Sequence, residues 1–201
     1  MVKHAERTGR VRGNATARVA TLFALSLIVI ASAGAQDGMS WRSYAELGGG
    51  ISVSGGDIRP LVAIESGLFL GAVELGSYVH LLPLEFGSPD LLQAAAVAYG
   101  GSVGYSLDTG NDTVKPFGRI GLGGIYKAEA DDEGAFSGMG AERKFACVFT
   151  LGVELPLSER WSARLWGAYR LTDNALDFDG KPLSGFDLGA SIRAHWTTTV
   201  R

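Results

Sequence analysis

A single cysteine, Cys147, is all the chain contains, so no internal disulfide can staple it. The three histidines, His4, His80 and His195, have no ligand-type spacing with that cysteine or with one another, which argues against a zinc site. Charge is sparse at 19%, with 18 basic against 21 acidic residues. Without a basic stripe to neutralise phosphates, nucleic acid is excluded as a partner. After Gln36 no apolar run reaches the 18 residues that a spanning helix needs, so any passage through a membrane must be made by strands. Asp131, Asp132 and Glu133 are consecutive rather than alternating; they read as a solvated loop tip, not as a calcium loop. The glycines of Gly121-Leu122-Gly123-Gly124 precede no crossover helix and are not a dinucleotide loop. No cofactor is implied.

What is present begins with an export signal. Lys3, Arg7, Arg10, Arg12 and Arg18 form a basic stretch, Val19 to Ile30 is apolar, and Ala33, Gly34 and Ala35 supply small residues before Gln36. That order is the pattern of a secretory signal peptide over residues 1–35, leaving residues 36–201 as one domain. The segment carries five basic residues and one acid, Glu6, so its removal takes the net charge from −3 to −7.

The rest of the chain alternates. Trp161, Ala163, Leu165, Gly167, Tyr169 and Leu171 interleave with Arg160, Ser162, Arg164, Trp166, Ala168, Arg170 and Thr172. The stretches from Lys144 and from Phe186 repeat the pattern. Period two sustained over ten or more residues exceeds the usual soluble strand and suits a tilted strand crossing a bilayer. The same rule predicts eight strands, near 41–53, 57–65, 68–81, 92–107, 113–127, 143–156, 159–172 and 184–198. Ser66-Gly67 serves as the second turn, and the stretch from Leu91 to Ala98 has the composition of a helix. Connections alternate between tight and long, as in a membrane barrel with both termini on the periplasmic side; only Ser54-Gly55-Gly56 is short where a long loop is due. Pro83 and Pro89 fall in a loop, whereas Pro60 and Pro116 fall inside strands, which puts those two strand starts too early. The expected fold is all-β, an eight-stranded antiparallel transmembrane barrel.

One face of these strands gathers the charge: Arg42, Glu46, Arg59, Glu65, Glu74, Lys115, Arg119, Glu154, Arg164, Arg170, Asp187 and Arg193, with glycines between them. Eight strands enclose an interior only wide enough for side chains, so mixed charges there pair into a polar plug. A narrow anion-selective pore is the functional alternative. The other face carries Trp41, Tyr99, Tyr105, Tyr126, Phe145, Trp161, Tyr169, Phe186 and Trp196, the aromatics of an interfacial girdle. His80 and His195 raise a hydrolase reading, but along one strand Thr197, Ser191 and Asp187 lie about 7, 14 and 27 Å from His195, beyond hydrogen-bond reach. A soluble periplasmic barrel holding an apolar ligand would instead require charges outward and apolar residues inward.

Two phrases carry a family resemblance. Lys115-Pro116-Phe117-Gly118-Arg119-Ile120-Gly121-Leu122-Gly123-Gly124 and the final strand, with Asp187, Gly189, Ile192, Ala194 and Trp196, are similar to the small eight-stranded outer membrane barrels of the OmpA/OmpX/OmpW-like group. That resemblance makes the five residues an assembly signal read by barrel-insertion machinery. It also implies an outer membrane location, lipid as surroundings, and a non-enzymatic structural or surface-interaction role through loops that meet an extracellular ligand or host surface. A narrow porin-like channel for small, including hydrophobic, solutes is the alternative.

Overall fold

A computed structural model of the chain describes residues 40–86, 92–107, 109–110, 113–130, 136–137, 143–176 and 180–199. The expected signal peptide and the acidic tip at Asp131–Glu133 lie outside the described residues. Eight long strands form: β1 (Ser40–Ser54), β2 (Asp57–Leu70), β3 (Val73–Phe86), β4 (Leu92–Ser106), β5 (Lys115–Ala130), β7 (Lys144–Pro156), β8 (Trp161–Thr172) and β9 (Gly185–Thr199). A two-residue β6 (Phe136–Ser137) pairs with the end of β5. Every neighbouring pair is antiparallel. The order β4-β3-β2-β1-β9-β8-β7-β5 closes through β4 with β5 into a barrel. First and last strands meet along their whole length, from Ser40 opposite Thr199 to Ser54 opposite Gly185.

The alternation decides which side of the wall each residue takes. Arg164, Arg170 and Arg193 are fully buried inside, while Leu151 on the outer face is 73% exposed and Phe186 63%. This is the reverse of a water-soluble barrel, and it removes the arrangement that a soluble ligand-binding barrel requires. Tyr105, Phe145, Trp161, Tyr169 and Trp196 also face outward, and Tyr169 meets its cross-strand partner Phe186 at 4.7 Å between ring centroids.

The second and third strands are longer than the sequence pattern predicts, and the turn between them lies elsewhere. Ser66 stays in the ladder, opposite Ala45 and Ser77, with its hydroxyl 3.3 Å from that of Ser77. The chain turns at Gly71, whose φ of 65° is the positive value that so tight a turn demands. β3 therefore runs on through Leu82 to Phe86, a stretch expected to be loop, and Pro83 lies in the strand. A register shift follows Pro83 at once, which is where a residue without an N–H is tolerated. Pro60 and Pro116 are inside strands as well, and neither start is too early by more than two residues. The ladder of β2 with β3 begins at Val62, and that of β5 with β4 at Phe117. Each proline thus has one unpaired side on which no hydrogen bond is lost.

The helix-like composition of Leu91 to Ala98 gives way to strand β4. Its alanines Ala94, Ala96 and Ala98 are all buried; they are small because the curved wall leaves little room, and tertiary space overrides local propensity. The short first connection is a two-residue hairpin, Gly55-Gly56, with φ of 58° and 89°, the geometry of a turn with two left-handed residues.

Inward glycines make room for large rings. A Cβ on Gly189 would stand 2.5 Å from the Trp166 ring, and one on Gly152 would stand 2.8 Å from Phe117. Gly189→Val is accordingly expected to destabilise the barrel by about 1–3 kcal/mol through overpacking. Gly101→Ala, where the nearest atom is 3.8 Å away, should change stability by less than about 0.5 kcal/mol. Urea unfolding of the folded protein in detergent compares the two.

Candidate functional site

The lumen is the site, and Glu74 is its centre. From the second position of β3, this carboxylate accepts from Arg164 Nη2 at 2.5 Å, from Arg193 Nη1 and Nη2 at 3.0 and 3.1 Å, and from Arg119 Nη2 at 3.3 Å. Ser106 donates to it at 2.9 Å. Glu46 takes Arg193 Nε at 2.8 Å and the Ser191 hydroxyl at 2.5 Å. Glu154 takes Arg164 Nε at 2.7 Å. Glu65 pairs with Arg119 and lies 3.5 Å from His80 Nε2. Four carboxylates and three guanidiniums from β1, β2, β3, β5, β7, β8 and β9 thus form one cluster toward the end of the barrel that carries the termini. Aromatic faces support it: Arg164 lies 4.0 Å from the Phe117 centroid and Arg193 3.9 Å from that of Tyr44, distances at which a ring attracts a cation. The gap between Glu46, Glu65, His80, Phe117, Arg119, Thr150 and Trp166 has no room for a water molecule.

A second, smaller set lies toward the opposite end. Arg170 donates to Asp187 at 2.7 Å, to the Ser52 hydroxyl at 2.9 Å and to the Leu183 carbonyl at 3.0 Å. At the rim, Arg59 Nη2 donates to Asp57 at 2.8 Å, and Lys181 Nζ reaches the same carboxylate at 2.8 Å.

Ten of the twelve charged residues singled out in the sequence are buried inside the barrel. The other two are corrected to its rim: Arg42 is exposed, 5.0 Å from the Phe69 ring, and Lys115, the first residue of β5, is half-exposed. On their own strands Arg42 lies four residues nearer the end with the tight turns than buried Glu46, and Lys115 four residues nearer it than buried Arg119. Of the five residues of the expected assembly signal, Asp187 and Gly189 turn inward against Arg170 and Trp166. Ile192 and Trp196 face outward and are exposed, and Ala194 between them is half-buried.

Sequence reasoning missed Ser162, Asp57, Lys181 and Leu183. Ser162 completes the most enzyme-like group in the lumen. Its hydroxyl is 2.9 Å from His195 Nε2, and Glu154 is 3.5 Å from that same nitrogen. A catalytic triad needs the nucleophile and the acid on opposite ring nitrogens. Here both compete for Nε2, Nδ1 has no hydrogen-bond partner, and Ser162 is 1% exposed. Ser191 is bound to Glu46 and Asp187 to Arg170, so two of the three candidate partners of His195 are committed elsewhere, and Thr197 is exposed. The group does not have the geometry of a Ser-His-acid triad.

A scan of protein-family models and a search of curated proteins both return no match. Solved structures do match in shape. Neisserial surface protein A (NspA) aligns with a TM-score of 0.58 at 15% identity, covering 78% of this chain and 98% of its own. The fold is that of a small outer membrane β-barrel. The N-terminal β-barrel domain of Pseudomonas aeruginosa OprF aligns with a TM-score of 0.51 at 14% identity, covering 80% of this chain and 100% of its own. At such identities the likeness carries the fold and leaves function to this barrel's own residues.

Removing one member of a buried ion cluster leaves the others uncompensated. Glu74→Leu, which removes the carboxylate that Arg119, Arg164 and Arg193 share, should therefore cost about 3–5 kcal/mol. Arg42→Ala at the rim, which loses an exposed cation–ring contact, should cost no more than about 1 kcal/mol. Denaturant midpoints of the barrel refolded in detergent measure both.

Proposed function

We propose that the chain is a non-enzymatic integral outer membrane barrel with a plugged lumen, whose connecting loops meet the surroundings while the barrel serves as a rigid anchor. One observation carries this reading: the wall is apolar outward and charged inward, and the inward charges are already paired with one another. An apolar outer face satisfies lipid, and a lumen filled by mutually bonded side chains leaves no aqueous path. The absence of a usable Ser-His-Glu arrangement around His195 supports the non-enzymatic part. Partners on this reading are outer membrane lipid, the insertion machinery that would read Asp187, Gly189, Ile192, Ala194 and Trp196, and an extracellular ligand or host surface at the loops.

Export through a cleaved signal peptide over residues 1–35 belongs to the same proposal, since the barrel must cross the inner membrane before it can insert. On this reading both ends of the barrel face the periplasm and the connections after β1, β3, β5 and β8 face outside, as an even strand count supports.

A second reading has an observation of its own. The outer half of the lumen is apolar on one side, lined by Leu61, Leu82, Ile125 and Val148, which suits a narrow conduit for small hydrophobic solutes better than an anion pore.

Heat-modifiability is the direct test. Detergent-extracted protein is expected to migrate differently on gels before and after boiling, and to fractionate with outer membranes. In planar bilayers the folded protein should show no steady ion conductance. A protein soluble without detergent and unshifted by boiling would overturn the membrane reading; steady conductance would overturn the plug alone.

A further inference from the structure

We propose that a groove on the outer wall, between β4, β5 and β7, seats one phospholipid of the periplasmic leaflet, with its acyl chain over Gly118 and its phosphate at Lys115. The groove arises because β5 carries a glycine at an outward position. Gly118 lies opposite Tyr105 on β4 and Leu151 on β7, so two large outward side chains flank a position that has none. One row toward mid-barrel, Val103, Ile120 and Phe149 stand abreast and close that end. In the other direction the floor continues over Pro116, beside Leu107. The hollow measures about 810 Å³, within the range of sites that hold a small organic molecule. An outward glycine does not by itself leave such a space. Gly124, on the same strand, is covered by its cross-strand neighbour Tyr99, whose Oη and Cζ lie 3.1 and 3.3 Å from the place of a Cβ. At Gly118 only the tip of Leu151 comes near, at 3.3 Å, and Tyr105 leaves the space open.

Length and charge choose the occupant. From Pro116 to Ile120 the strand rises about 14 Å, close to the depth of one leaflet, which is roughly half of the hydrocarbon core. The polar groups stand at the end that carries the termini. Lys115 adjoins Pro116 and is half-exposed, and among the described residues no hydrogen bond or ion pair engages it. A lysine so placed runs its stem along apolar surface and holds its ammonium at the level of the headgroups. Tyr105, 51% exposed, adds a phenolic O–H at the same end. A cation and a hydroxyl at the wet end of an apolar trough match a phosphate with a chain beneath it. The same cation argues against a second copy as occupant. Two barrels inserted in one orientation would meet groove to groove about an axis along the membrane normal, which sets Lys115 against its own equivalent.

The inference rests on the membrane reading, which puts the Lys115 end at the periplasmic face. Native mass spectrometry of the purified barrel in detergent, with phosphatidylglycerol as the probe, tests it. One lipid per barrel should bind saturably. Gly118→Leu, which fills the floor, should weaken that binding by about tenfold or more. Lys115→Gln should weaken it by about two- to fivefold, the scale of one exposed charge. Ala190→Leu is the control, since Ala190 is exposed on the outer face of β9, away from the groove, and it should leave binding unchanged. A gel shift on boiling shows that each variant is folded; should Gly118→Leu not fold, Lys115→Gln carries the test. Binding that the folded groove variants leave unaltered, or that Ala190→Leu lowers equally, overturns the inference. Barrel dimers that Gly118→Leu dissolves overturn it too, by giving the groove to a second copy. A protein that stays soluble without detergent overturns the membrane reading instead.

Discussion

The bonds that converge on Glu74 are the constraint on which the interior depends. In a closed barrel the backbone ladders tie each strand only to its two neighbours, and nothing in them fixes the distance across the lumen. Side chains must do that. Glu74 on β3 meets Arg164 on β8 and Arg193 on β9, 90 and 119 residues away along the chain, and it shares them with Glu46 and Glu154. Because each guanidinium serves two carboxylates, no pair can be removed without exposing a charge in a space that admits no water. The set behaves as a unit, and its cost of burial is offset only while all members are present.

That unit stands on a second constraint, which is space. Guanidiniums lie over the rings of Phe117 and Tyr44, and the rings lie over glycines: Phe117 over Gly152, Tyr44 over Gly67. The glycine count of 29, which in a soluble sequence suggests flexible linkers, here has a steric purpose. Eight strands enclose so little volume that a large ring can enter only where the opposing wall has no side chain at all. Charge, ring and glycine are consecutive layers of one packing solution, and each explains why the next residue type appears where it does.

Much of this was legible in the sequence because a strand has period two. Once Glu154 and Arg193 are placed on the same side of their strands as Gly152 and Gly189, and Arg164 on the side of Ser162 and Arg170, their entry into the lumen follows, and so does the outward direction of Phe145, Leu165 and Phe186. What alternation does not supply is register. Ser66-Gly67 has the composition of a turn, yet Ser66 pairs on both sides and the chain turns at Gly71. The alanines of β4 have the composition of a helix, and only the crowding of the closed wall makes them strand residues. The grouping of Ser162 with His195 and Glu154 was likewise out of reach, since it depends on how β7, β8 and β9 slide against one another. The inward fold of Leu183 was hidden for a different reason: a loop residue belongs to no period.

The two halves of the lumen follow from the same physics applied to different neighbours. Toward the end with the tight turns after β2 and β7, charges enter from seven strands, and only mutual pairing satisfies them. Toward the opposite end the polar residues retreat to one side, where Arg170, Asp187 and Ser52 bind one another, and the facing wall of β2, β3, β5 and β7 is aliphatic. A charged filling cannot complete that half, because a guanidinium against Leu61, Leu82 and Ile125 would have no partner. An aliphatic filling can, and Leu183, from the connection between β8 and β9, supplies one. Leu183 presents its side chain to the apolar wall and its carbonyl to Arg170, satisfying both faces of the recess at once. The amphipathic half-lumen therefore takes an amphipathic filling.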